Sequence, residues 1–138
     1  MQVYHDSQQL YAVLKELFGK IETDYPESVQ IVSKSRLIMR LRCNNPLAEV
    51  TINGRHNPAQ TIYGSSKLRP DIEVEMIADA LHNILLAELP LSKALATGQM
   101  TVRGPVLKSF IFKDIFQRGQ SIYPEIWKKS GGTLEISG

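Results

Sequence analysis

Between Val106 and Phe116 the chain carries seven large apolar residues: Val106, Leu107, Phe110, Ile111, Phe112, Ile115 and Phe116. At roughly 100° per residue they point in more directions than one helical face can hold. Lys108, Lys113, Asp114 and Gln117 fill the narrow gaps between them. Gly104-Pro105 opens the segment, and proline suits a helix start. Such a helix must be covered on more than one side. The cover is other helices, a partner chain or an apolar ligand.

The rest of the chain supplies candidate partners. Leu10, Val13, Leu14, Leu17, Phe18 and Ile21 recur at helical spacing, with Asp6 as N-cap and Gln9 placed for a capping box. This helix spans 7–24, since the residue before Pro26 avoids helical geometry. Pro26 starts a short second helix through about Val32. The period then becomes two. Leu37, Met39, Leu41 and Cys43 alternate with Arg36, Ile38, Arg40 and Arg42. Ala48, Val50 and Ile52 form a second strand before the Asn53-Gly54 turn, and Gln60 to Tyr63 a weaker third. Ile72, Val74 and Met76 alternate with acidic residues in a fourth. These four strands read as a meander with one buried face.

From Ile77 the period is 3.6 again. Ile77, Ala80, Leu81, Ile84 and Leu85 make a stripe on a helix running to about Glu88. Leu91, Ala94 and Leu95 make a short one that ends at Gly98, a left-handed stop. Met100 and Val102 belong to a fifth strand. The order of elements predicts an α+β fold: a five-stranded antiparallel-rich sheet with helices packed over one face.

At 138 residues this is one domain, 1–138, and it is large enough to fold without disulfides or metals. The net charge of +2 demands no nucleic-acid partner. The single cysteine, Cys43, excludes a disulfide framework and suits a reducing, cytoplasmic setting. No apolar run approaches the roughly 18 residues that span a bilayer, and the first residues lack a signal-peptide layout. Gly131-Gly132 loosens the end of the chain, where Thr133 to Ile136 either adds a short strand or stays disordered.

The segment from Leu37 to Phe116, within a core of 36–118, resembles the sterol-carrier-protein-like lipid-transfer domain family. The resemblance rests on "RPDIEVEMIADALHNILLAELPLSKALATGQMTVRGPVLKSFIFKDIF". This stretch holds an acidic-apolar strand, two helices, a strand between Gly98 and Gly104, and a final apolar helix. The chain departs from the family at Arg103-Gly104-Pro105, where many members carry an acidic residue after the glycine. The N-terminal helix and the 120–138 segment and tail are also less typical.

The resemblance implies an apolar cavity or tunnel between sheet and helices. A fatty acyl chain, sterol-like or isoprenoid lipid would be sequestered or transferred there, without catalysis or cofactor. Carried over by position, the lipid-binding residues are Ile77, Leu81, Ile84, Leu85, Leu95, Met100, Val102, Phe110, Ile111, Ile115 and Phe116. Transient contact with a membrane or an enzyme would accompany ligand exchange. The family also extends to accessory proteins of isoprenoid-quinone biosynthesis. The alternative function is therefore that of a scaffold in a lipid or quinone pathway.

The polar motifs add little chemistry. Arg36, Arg40 and Arg42 form a basic stripe, suited to anionic lipid heads or to pairing with Glu49, Glu73 or Glu75 on a solvated face. His5, His56 and His82 share no spacing and read as surface histidines, not as a metal or catalytic site. Tyr123 to Trp127 reads as a short anchoring helix, or else a lid or dimer contact.

Overall fold

The computed structural model describes residues 2–105 and 110–129, with the backbone alone at Phe110 and Phe112. The expected helix start at Val106 and the strand at Thr133 to Ile136 lie outside the described residues.

The first helix, α1 (Ser7–Asp24), buries all six residues of the apolar stripe. Asp6 Oδ1 accepts from the Gln9 backbone N–H at 2.8 Å, while Gln9 Oε1 accepts from the His5 N–H at 2.6 Å. The box therefore closes one residue earlier than the standard pattern. α2 (Pro26–Ser35) runs past Val32 and stops where Arg36 turns left-handed, at φ 59°. Arg36 is thus a helix cap and not part of the first strand.

The strands are β1 (Ile38–Asn44), β2 (Ala48–Asn53), β3 (Gln60–Tyr63), β4 (Ile72–Ile77) and β5 (Met100–Arg103). Their order is β3-β2-β1-β4-β5. β1, β2 and β3 form the expected meander, but β4 does not continue it. It pairs with β1 in parallel, Leu41 opposite Val74, so the sheet is mixed. The chain passes from the β3 edge to the far side of β1. Arg40 ties this crossover down, because its Nη2 donates to the carbonyls of Ser66 and Leu68 at 3.2 and 2.6 Å. Asp71 sets the start of the parallel pair by accepting the Ile38 N–H at 2.8 Å.

One face of the sheet is apolar: Met39, Leu41, Val50, Ile52, Val74 and Met76 are all buried. The other face carries the charges in register. Arg40 lies opposite Glu73 and Thr51, Arg42 opposite Glu75 and Glu49, and Glu73 opposite Arg103. Arg42 and Glu49 approach to 3.5 Å, so the basic stripe pairs across strands.

β4 runs directly into α3 (Ala78–Leu85), with Ile77 as its N-cap. This helix ends before Glu88, because Ala87 turns left-handed at φ 62° and the Glu88 N–H bonds back to the Asn83 carbonyl. α4 (Leu91–Ala96) ends at the expected stop, where Gly98 takes φ +76°, open to glycine without steric cost.

The last helix, α5 (Phe110–Lys129), absorbs Pro124 instead of ending before it. An internal proline costs about 3 kcal/mol. Burial of Tyr123, Ile126 and Trp127 around it offsets that cost. α5 packs against α1, α3 and α2. A methyl group at Gly119 would sit 3.0 Å from Leu85 Cδ2 and 3.7 Å from Leu17 Cδ1, so this glycine lets the three helices meet closely.

Candidate functional site

The helices do not seal the apolar face of the sheet completely. A cavity remains where α5 crosses the gap between α1 and α3. The sheet supplies its floor with Met39 and Leu41 from β1 and Val50 and Ile52 from β2. α1 contributes Leu14, Leu17, Phe18 and Ile21, α3 contributes Leu81 and Leu85, and α5 contributes Ile115 and Phe116. Every described side chain in the lining is apolar. The free volume is about 20 Å³, room for roughly one water.

A second pocket continues the first. It shares Phe18, Ile21, Ile52 and Ile115 with the cavity and adds Glu22, Ser28, Val29, Val32 and Thr61. Thr61 Oγ1 donates to Glu22 Oε1 at 3.2 Å on this side. Glu22 also helps to push the Tyr63 hydroxyl up to about 12, mainly a result of that tyrosine's own burial.

Four of the candidate residues carried over by position meet at the cavity: Leu81, Leu85, Ile115 and Phe116. Ile84 and Met100 are buried in the surrounding core without lining it, and Val102 and Ile111 pack half-buried against that core. The side chain of Phe110 lies outside the described residues. Ile77 and Leu95 point away, 47% and 49% exposed. Ile77 still follows the strand period, so it faces outward after the inward Met76. On the short α4 the buried position is Ala94, which turns its neighbour Leu95 outward.

The residues carried over by position do not include the walls from α1, β1 and β2. The N-terminal helix falls outside the family-like segment, and its stripe reads as ordinary core. That stripe was itself the available signal, because a cavity between layers is lined by the inward face of each layer.

A second cluster lies along the C-terminal half of α5. His82 is a buried residue, 8% exposed, not a surface histidine. Its Nδ1 bonds the Tyr123 hydroxyl at 2.6 Å, and Tyr123 in turn bonds the Tyr4 hydroxyl. Trp127 stacks on Tyr123 at 6.3 Å between centroids and meets the edges of Tyr4 and His82. Asp79 Oδ1 accepts the Val3 N–H at 2.9 Å, which fixes the N-terminal strap over this cluster. Burial lowers the His82 pKa, against the pull of Glu88 and Asp79, and raises those of Tyr4 and Tyr123. Burial likewise pushes the Cys43 thiol up to about 12, which leaves it protonated and inert.

Among the described residues, no group of three or more His, Cys, Asp or Glu comes together where a metal ion could sit. No helix among them is long and apolar enough to cross a membrane.

No protein-family model matches the sequence. No curated protein matches it either. Solved structures do resemble the fold. The sterol carrier protein domain 2 of Helicoverpa armigera matches with a TM-score of 0.65 and 17% identity, covering 82% of this chain and 89% of that one. Sterol carrier protein 2 from Yarrowia lipolytica in its apo form matches with a TM-score of 0.60 and 16% identity, covering 87% and 98%. The ubiquinone synthesis protein UbiJ-SCP2 matches with a TM-score of 0.51 and 13% identity, covering 74% and 89%. At these identities the likeness is one of fold: the chain has the α+β architecture of sterol carrier protein 2 domains.

Proposed function

We propose that this protein binds an apolar ligand between its sheet and its helices and shields it from water. The observation that carries the reading is the wholly apolar cavity under α5, set in a fold shared with sterol carrier proteins. Among the described residues no polar side chain lines the cavity, so none of them is placed to activate a nucleophile or move a proton there. The role is therefore sequestration and transfer, not catalysis, and the ligand classes are a fatty acyl chain, a sterol-like molecule or an isoprenoid lipid.

A free volume of about 20 Å³ does not hold such a ligand, so binding must part α5 from α1 and α3. Burying about ten methylenes supplies roughly 8 kcal/mol, enough for micromolar affinity before ordering costs.

Native mass spectrometry of freshly purified protein, with an organic extract analysed in parallel, tests the reading. A discrete added mass that matches an extractable lipid supports it and identifies the ligand class. A bare mass, together with no uptake of an added apolar fluorophore, overturns it.

The likeness to a ubiquinone synthesis protein favours a second reading, an accessory role in isoprenoid-quinone assembly. That role predicts co-purification with biosynthetic enzymes, and a monomeric, lipid-loaded protein without them speaks against it.

A further inference from the structure

The pocket that adjoins the apolar cavity carries a polar group with nothing to bind. Ser28 is 1% exposed, and its Oγ has no hydrogen-bond partner among the described residues. A helical serine usually bonds back to a carbonyl one turn earlier. Ser28 sits in the first turn of α2, with the proline that starts the helix two residues before it. A buried hydroxyl without a partner is costly, and such groups mark a site for a ligand or a water.

The surroundings define what would satisfy it. Phe18, Ile21, Ile52 and Ile115 wall both the cavity and this pocket, so a ligand with its apolar body under α5 would bring its end group here. The other polar lining is Glu22 and Thr61, and the Thr61 hydroxyl already donates to the Glu22 carboxylate. Among the described residues, no lysine, arginine or histidine lines the pocket. An end group here therefore meets one free buried hydroxyl and, at the exposed edge of the pocket, the Glu22 carboxylate, with no cation among the described residues.

We infer that this pocket is a headgroup subsite that selects uncharged, hydroxyl-bearing ligands, such as a long-chain or sterol-type alcohol, over fatty carboxylates and phosphates. The inference rests on the lipid-binding reading and narrows it. A ligand hydroxyl accepts from Ser28 Oγ and donates to the carboxylate of Glu22. A carboxylate placed there would accept from Ser28 but face Glu22 as a like charge, which disfavours it.

Displacement of the neutral fluorophore N-phenyl-1-naphthylamine by dodecanol and by dodecanoate, near pH 8, tests the subsite. Dodecanol should displace it at about tenfold lower concentration than dodecanoate. Glu22→Gln should narrow that gap by strengthening dodecanoate binding. Ser28→Ala should weaken dodecanol about fivefold. Ser28→Ala should also raise the melting temperature of the ligand-free protein, because it removes an unpaired buried hydroxyl, and this shows the variant is folded. Equal displacement by both compounds, or a preference for dodecanoate that Glu22→Gln does not alter, overturns the subsite but leaves the lipid-binding reading intact. Failure of the wild-type protein to take up the fluorophore or either compound overturns both.

Discussion

The two halves of α5 are held by different physics. Around Ile115 and Phe116 the helix sits over a cavity whose described lining is apolar and which the layers leave partly unfilled. Around Tyr123 and Trp127 it meets a chain of hydroxyls, an imidazole and stacked rings, with the N-terminal strap fastened over them. Apolar contacts are non-directional, so one set of leucines can be exchanged for another surface at small cost. A buried polar network tolerates no such exchange, since each group that loses its partner carries its full desolvation penalty. On the proposed lipid-binding reading, the fold opens at the cavity half of α5, with the aromatic half as the fixed end.

The largest test sets the two halves against each other. Trp127→Ala should cost about 3–5 kcal/mol and weaken the whole fold, read by urea unfolding. Ile115→Ala should cost about 2–4 kcal/mol but also enlarge the cavity and increase uptake of a bulky apolar fluorophore. If Trp127→Ala instead increases uptake while Ile115→Ala leaves it unchanged, the fixed and mobile ends have been assigned the wrong way round.

Tyr123→Phe is the sharper probe of the network. It keeps the ring but strips the shared partner from the Tyr4 hydroxyl and His82 Nδ1, at a cost of about 1–3 kcal/mol. A stability equal to that of the wild type would show that the hydroxyl chain does not hold this end.

The network should also respond to acid. Burial holds His82 below its usual 6.5, so it stays neutral in the folded protein while the unfolded chain takes up a proton. Stability is full above that value, declines as the pH falls past it, and stops declining below the folded-state pKa. In His82→Gln the decline as the pH falls below 6.5 should flatten. Parallel unfolding midpoints for the two proteins across that range would assign the acid response elsewhere.

The smallest effect belongs to the outer face. Arg42→Ala removes an exposed pair with Glu49 and should change stability by no more than about 0.5 kcal/mol, with ligand uptake unaltered. Loss of uptake in that variant would move the binding site to the other side of the sheet.

Much of this molecule is written locally. The 3.6-residue period of Leu10 to Ile21 fixed the buried face of α1, and the alternation from Leu37 to Cys43 fixed which face of β1 is apolar. Gly98 marked its own left-handed turn. These features follow from repeat geometry and backbone sterics, which act within a few residues.

What the chain does with those faces was decided at longer range. Nothing near Ile72 states that β4 will pair in parallel with β1 instead of following β3. Tyr123 to Trp127 reads as a short helix of its own until Tyr123, Ile126 and Trp127 enter the core as part of one long α5. His82 reads as a surface residue until Tyr123, 41 residues away in sequence, supplies its partner. The cavity depends on α1, β1, β2, α3 and α5 together. Periodicity tells each element which side to bury, but only the packed layers determine what it is buried against and where the packing stops short.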